Sequence, residues 1–381
     1  MDIRYFDNAA TTKIKDEVLE EMLPYLKEEY GNASSLYSIG RKAKRAIEKA
    51  RKQVAELINC KPEEIYFTSC GSESDNTVVK GIAKAYRKKG KHIITSKIEH
   101  PAILHTCQSL EKQGYRVTYL SVDENGKINL DELRRVISMD TILISIMTAN
   151  NEIGTIQPIE EISKIAKMYN IIFHTDAVQA CGNIPIDVQK MGIDSLSLSG
   201  HKINAPKGIG ALYVKKGIEF EKFIDGGHQE NDKRAGTENV AEIVALGKAC
   251  EIAKNNLENH MKYLKELRDY FITQVEENIP DVKLNGDREK RLPGNTNFSF
   301  KGIKGETLLL KLDEIGICAS TGSACSSGIE ASSHVLTAIG LSNELANSSL
   351  RVTFGEENTK EDVNYLIKNL IEIVENLRKN K

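Results

Sequence analysis

Between about residue 40 and residue 255 this sequence alternates between short β-rich runs and segments of helical periodicity. Glu64 to Thr68, His92 to Thr95, Arg116 to Ser121, Thr141 to Thr148, Ile171 to Thr175, Ser195 to Ser199 and Ala211 to Val214 read as strands. Helical stretches near 41–58, 73–89, 102–113, 129–138 and 159–169 fall between them. Few architectures accept such a pattern. Parallel neighbours require a crossover, and the crossover helices then cover both faces of the sheet. The expected fold class is therefore α/β, with a mixed, mostly parallel sheet covered by helices. Ligands in such sheets sit at the carboxyl ends of the strands.

A long charged helix around 240–278 ends this regime. Strand-like Thr296 to Phe300, a helix near 305–314, a Gly/Ser/Cys loop at 320–328, a strand around Leu350 to Phe354 and a final helix from Lys360 to Lys379 suggest a smaller α+β domain. The expected organisation is a large domain over 15–255 and a small one built from 1–14 and 256–381. A chain of 381 residues is long enough for two such cores.

Several function classes are disfavoured at this stage. The formal net charge is -2 with 28% charged residues, so no basic field points to nucleic acid or an anionic membrane. The basic run Arg41 to Lys52 alternates with apolar positions and reads as a solvated helix face. No apolar run approaches the roughly 18 residues of a membrane span, and no secretory h-region opens the chain; a soluble, cytoplasmic protein is expected. The 7 cysteines form no CxxC pair and no zinc-like Cys/His grouping, so no metal site is expected. Cys60, Cys107 and Cys250 read as small apolar residues, and Cys318 as a strand-end core residue. Nucleotide-binding glycine loops, the GxSxG elbow and HExxH are all missing.

Two strand ends carry the chemistry. Strand 171–175 runs into Asp176, with Gln179 shortly after; strand 195–199 runs into Gly200-His201-Lys202, ahead of Lys207-Gly208-Ile209-Gly210. A lysine amine that can condense with an aldehyde, beside a carboxylate that keeps a pyridine nitrogen protonated, is what pyridoxal phosphate requires. Alone, Asp176 also reads as a helix N-cap and Lys202 as a surface lysine. Strand 64–68 leads into Ser69-Cys70-Gly71-Ser72-Glu73-Ser74, small residues opening a helix, where free N–H groups and the dipole favour a phosphate. His100, in Glu99-His100-Pro101-Ala102, reads either as a helix-start residue or as a flat ring stacked on a cofactor and able to move protons.

Taken in order, these pieces resemble the cysteine desulfurases of the NifS/IscS type, within the aminotransferase class V group. The resemblance runs from Tyr5-Phe6-Asp7-Asn8-Ala9-Ala10-Thr11-Thr12 through Gly31-Asn32-Ala33-Ser34-Ser35, Ile98-Glu99-His100-Pro101 and Asn150-Asn151-Glu152-Ile153-Gly154. It continues through Thr175-Asp176-Ala177-Val178-Gln179, Ser199-Gly200-His201-Lys202 and Arg234-Ala235-Gly236-Thr237-Glu238-Asn239. It closes on Gly322-Ser323-Ala324-Cys325-Ser326-Ser327-Gly328 and Leu350-Arg351-Val352. The resemblance implies the type I fold of pyridoxal phosphate enzymes, a homodimer, and conversion of L-cysteine to L-alanine. It implies Lys202 as the cofactor-bonding lysine and Asp176 as partner of the pyridine nitrogen. Gln179 and Asn151 would face the ring hydroxyl and His100 would stack on the ring. Gly71, Ser72, Ser199 and His201 would hold the phosphate, joined by Thr237 of a second subunit. Asn32 and Arg351 would bind the substrate carboxylate. Cys325 would accept the sulfur as a persulfide and pass it to an acceptor protein such as an iron–sulfur scaffold.

The chain departs from the family pattern at several points. Ala33 stands where a proline is usual, Tyr37 where a histidine is, Cys70 lies in the phosphate turn, Asn231 replaces an arginine and Ala205 a glycine. None removes a central chemical group. Two other enzymatic readings stay open from sequence, selenocysteine lyase and a class V aminotransferase of small amino acids, together with a non-catalytic sulfur-relay role.

Overall fold

Strands rich in Ile, Leu, Val and Thr, spaced by amphipathic helices, bury both faces only by stacking side by side beneath those helices. The computed structural model, which describes residues 2–321 and 332–379, has this arrangement. The chain enters through the two-residue strand β1 (Arg4–Tyr5), then forms α1 (Asp16–Lys27) and α2 (Ser38–Ile58). The main sheet is built from β2 (Ile65–Thr68), β3 (His92–Ser96), β4 (Arg116–Leu120), β5 (Thr141–Ser145), β6 (Ile172–Asp176), β7 (Ser195–Ser199) and β8 (Gly210–Val214). Between them run helices that include α3 (Gly71–Ala85) and α4 (Pro101–Glu111). The strand order is β2-β8-β7-β6-β5-β3-β4.

Only β8 runs against its neighbours. It follows β7 after a connection too short for a crossover helix, so it returns alongside β7 with Ser199 opposite Gly210. Because β8 is antiparallel to both β7 and β2, the carboxyl ends of β2, β3, β5, β6 and β7 all lie at one edge. The turns that leave that edge carry Gly71, His100, Asn151, Asp176 and Lys202.

A second sheet, β12 (Ser349–Thr353), β10 (Asn295–Phe300) and β9 (Val282–Leu284) in that order, is antiparallel, and β1 pairs with β11 (Ile317–Cys318). Two large hydrophobic clusters result. One joins Val54, Ile58, Phe67, Ile144, Phe173 and Leu196; the other joins Phe6, Phe271, Phe298, Phe300, Leu350 and Leu370. The long helix Val240–Asn278 gives Leu246 to the first and Phe271 to the second. No helix among the described residues is long and apolar enough to cross a membrane.

Three details differ from the sequence expectations. Helix α1 stands outside the expected alternation and contains Pro24. Cys318 is half-buried rather than a core residue, whereas Cys107 and Cys250 are fully enclosed. Arg51 is the exception in the basic run. It is 6% exposed, forms a two-point ion pair with Glu230 at 2.7 and 2.9 Å, and lies over the Phe67 ring. Glu230 also accepts the Phe67 amide at 2.9 Å. Removing one member of a buried pair strands the other charge in low dielectric, which costs about 3–5 kcal/mol. Glu230→Leu should therefore lower the urea midpoint sharply, and Arg51→Met combined with Glu230→Leu should recover much of the loss.

Candidate active site

At the end of β6 the side chain of Asp176 is almost fully buried. Its Oδ1 accepts the Val178 amide at 2.9 Å. Burial pushes this carboxyl above its ordinary range, and the nearby His100 and Lys202 pull it back only in part. A cationic partner would restore the carboxylate.

Lys202 ends the short 3-10 turn Gly200–Lys202 that follows β7, the strand next to β6. Its Nζ donates to the carbonyls of Ala9 and Ala10, both at 2.6 Å. Gln179 Nε2 donates to the same Ala9 carbonyl at 3.0 Å. The N-terminal segment from Asp7 to Thr12 thus lies against the site as a strap. Thr12 donates through its amide and its hydroxyl to the His201 carbonyl, and Thr11 Oγ1 lies 3.2 Å from His201 Nδ1. Burial, reinforced by Lys202 and Lys207, pushes His201 down to about 4, so its ring is neutral at physiological pH. A cavity of ≈ 470 Å³ includes Ala9, Gln179, Lys202, His260 and Phe354 in its lining. His100, Asp176 and Arg351 do not line it, so it backs onto the lysine.

Strand β2 delivers the chain to Cys70, the N-cap of α3, and Gly71 is the first helical residue. A Cβ on Gly71 would meet Val178 Cγ2 at 2.6 Å, so only glycine fits so close to the Asp176 turn. Ser199 Oγ, beside it, is buried without a hydrogen-bond partner. Ser72 is exposed at the mouth of the same turn. An unpartnered hydroxyl beside free helix N-terminal amides suits a phosphate.

His100 caps α4, its Nδ1 accepting the Ala102 amide at 3.1 Å. That bond leaves the proton on Nε2, and burial holds the imidazole below its usual range. Arg351, on β12, donates from Nη2 to Asp7 at 2.8 Å and from Nη1 to the Asn151 carbonyl at 3.0 Å, while its Nε has no partner. Asn150 builds the turn that presents Asn151, its Oδ1 taking the amides of Glu152 and Ile153.

The structure therefore gathers Gly71, Ser199, Asp176, Gln179, His201 and Lys202 around one strand edge, with His100 and Asn151 on the adjoining turns and Arg351 on β12 reaching the Asn151 carbonyl. Asn32 and Thr237 are both exposed; Asn32 Oδ1 accepts the Ser34 amide of its own turn at 2.8 Å. Cys325 lies outside the described residues. Both flanks of its segment are anchored at the site, however. Ser320 pairs through its backbone with Arg351, Ser333 Oγ donates to Glu152, and His334 Nε2 donates to the Glu99 carbonyl at 3.0 Å.

The family model for aminotransferase class V matches residues 4–366. The chain belongs to that family. Within it, this chain is 55% identical to the cysteine desulfurase IscS of Dictyoglomus turgidum, over 98% of this chain and 95% of the relative. It is equally 55% identical to the IscS of Methanosarcina thermophila, covering 98% and 92%. Among solved structures, a NifS-like protein superposes with a TM-score of 0.93 at 39% identity, covering 98% of this chain and all of the other. A structure described as SspA in complex with cysteine gives 0.83 at 38% identity, covering 92% and 98%. The chain is a pyridoxal phosphate-dependent cysteine desulfurase of the type I fold. The cradle at Gly71, the orphaned Ser199 hydroxyl and the cation-seeking Asp176 fit that cofactor.

Several contributors have no motif of their own. Asp75, on α3, is fully enclosed 3.7 Å from His174 Nε2, and His174 bridges Ser145 and Ser197 at 2.9 and 3.1 Å. Burial raises Asp75 well above the carboxylate range, with Asp176 adding to the rise. Alternation along β6 places His174 and Asp176 on the same face, which is the one signal that could have exposed this layer. Glu99 is likewise sealed in, bonded to Ser96 Oγ at 2.6 Å and to the Met147 amide, yet burial outweighs those bonds and pushes it up to about 8.

The sign of the Glu99 effect follows directly. Between pH 4.5 and about 8 the folded chain holds a proton that the unfolded chain releases, so stability falls as pH rises. Glu99→Gln, which mimics the neutral acid, should match the parent near pH 4.5 and exceed it by on the order of a few kcal/mol near pH 8. Urea titrations at the two pH values check this.

Proposed function

We propose that this chain takes sulfur from L-cysteine onto Cys325 and delivers it to an acceptor protein, working as a homodimer. The observation that carries the reading is the anchoring of both flanks of the Cys325 segment to Arg351, Glu152 and the Glu99 carbonyl, next to Asn151 and His100.

In this reading Asp176, Gln179, Asn151, His100, Gly71, Ser72, Ser199 and His201 would hold the pyridoxal phosphate, and Lys202 would bond its aldehyde. The bound cofactor supplies an electron sink for the pair left when the substrate Cα loses its proton. The Lys202 amine would then be the base that takes that proton. Arg351 orients the substrate by its carboxylate, with Asn32 as second contact; the vacant Arg351 Nε is the donor left for this purpose. Asp7 and the Asn151 carbonyl keep the guanidinium in place before substrate arrives. His100, neutral with its Nε2 proton, is placed to move protons at the ring face. The Cys325 thiolate attacks the substrate sulfur, forming an S–S bond as the C–S bond breaks with its electrons passing to carbon. Protonation of that carbon, with return of the proton held by Lys202 to Cα, yields alanine, and Cys325 retains the sulfur as a persulfide.

Thr237 is exposed at the head of the long helix and makes no hydrogen bond to its own Gly71 turn among the described residues. This supports its assignment to the phosphate of a second copy. The persulfide then serves an acceptor such as an iron–sulfur scaffold.

Incubation with L-cysteine and a reductant should release sulfide and alanine in equal amounts. Cys325→Ala should abolish sulfide release while the visible absorption of the lysine-bound cofactor persists. Alanine formation that survives the substitution, or amino transfer to a keto acid, would remove Cys325 from the mechanism.

A further inference from the structure

The segment from Gly226 to Asn239 is the most strained stretch of the described backbone. Three consecutive non-glycine residues, Glu230, Asn231 and Asp232, lie in the left-handed region with φ of 47, 54 and 63°. Each such residue costs roughly 1–3 kcal/mol unless its surroundings impose the conformation. Here side chains impose it. Glu230 is clamped by Arg51 and the Phe67 amide, and Asp232 by Lys222 at 3.0 Å and His228 at 3.1 Å. Gln229 Oε1 accepts the Gly236 amide at 3.1 Å and closes the loop on itself.

A second tie sits three residues before Thr237. Arg234 donates from Nε and Nη2 to the two oxygens of Glu73, at 2.9 and 3.3 Å. Glu73 belongs to the first turn of α3 and also accepts the Ser69 amide at 2.8 Å. Burial opposes its ionisation, yet the Arg234 and Ser69 bonds prevail and hold the acid below its usual range. Ser69 and Glu73 bracket Gly71 and Ser72. The arm that ends in exposed Thr237 is therefore fastened to the chain's own phosphate turn.

We propose that Arg234 is a positioning residue that links the two cofactor sites of a dimer, tying the phosphate turn of one protomer to the Thr237 it lends to the other. This inference rests on the reading that Thr237 serves a second copy. A filled phosphate turn fixes Ser69 and Glu73, Glu73 fixes Arg234, and Arg234 fixes the strained arm at the neighbouring site. Such a chain of contacts makes binding at one site favour binding at the other, and couplings of this kind typically amount to about 5–150-fold in affinity.

The test is a cofactor titration of the apo dimer, followed by absorbance, with the dimer fraction measured by sedimentation. Expected is cooperative filling with a Hill coefficient above 1. Arg234→Met should abolish the cooperativity, weaken binding about tenfold and lower the melting temperature by stranding the buried Glu73 carboxylate, whereas Arg234→Lys should restore part of all three. Thr237→Ala should weaken binding similarly, and the double variant should be no weaker than Thr237→Ala alone, because both act through one contact. Independent filling in the parent, or additive losses in the double variant, would overturn the role of Arg234. A dimer whose affinity ignores Thr237→Ala would instead overturn the underlying assignment of Thr237, whatever Arg234 does.

Discussion

A carboxyl sealed at the end of β6 dictates much of what surrounds it. Among the described residues Asp176 has one backbone amide, that of Val178, as direct hydrogen-bond donor, so its charge depends on neighbours that are themselves positioned by other strand ends. His100 arrives from β3 and Lys202 from β7, and both favour the ionised form. Asp75 and Glu99 are two further enclosed acids nearby, and burial raises them both. The site is thus a cluster of acids in which one member is prepared to carry charge when a cation arrives. That is an arrangement a low-dielectric interior supports only with fixed dipoles close by.

The parts of the chain that close the site come from its two ends. Phe6 packs in the second hydrophobic cluster, Ala9 donates to Thr353 Oγ1 at 2.9 Å, and Asn358 donates to the Tyr5 carbonyl at 2.9 Å. Arg351, two residues before Thr353 on β12, reaches Asp7 and Asn151 together. Arg351 on β12 and Lys202 and Gln179 after β7 and β6 are therefore held by one strap, Asp7 to Thr12.

Much of this was legible in the sequence. The alternation over residues 40–255 gave the sheet, because period and spacing are local properties, and the turns after β2, β3, β5, β6 and β7 carried the motif residues. Long-range pairing was less legible. The reversal of β8 depends on the short connection after Lys202, and the burial of Arg51 depends on Glu230, far along the chain, so a basic helical run could not announce it. Helix α1 carries Pro24, which blurs its periodicity. Asp75 and His174 sit on elements whose polar residues resemble ordinary caps and strand-edge hydroxyls until the layers are stacked. Thr237 and Asn32 are both exposed within one chain.

The carbonyl of Ala9 accepts from both Gln179 and Lys202. A main-chain acceptor is present whatever residue occupies the position, so no substitution at Ala9 can delete it. The resting place of the lysine is in that sense invisible to point mutation, and drift can reach it only by moving the strap. The residues able to do so are the strap's anchors, Thr353 and Asn358, which touch no reacting atom. In this fold the reactivity of the central amine is inherited through the path of the backbone, and variation among relatives in how that amine is held should be sought at the anchors rather than around the amine.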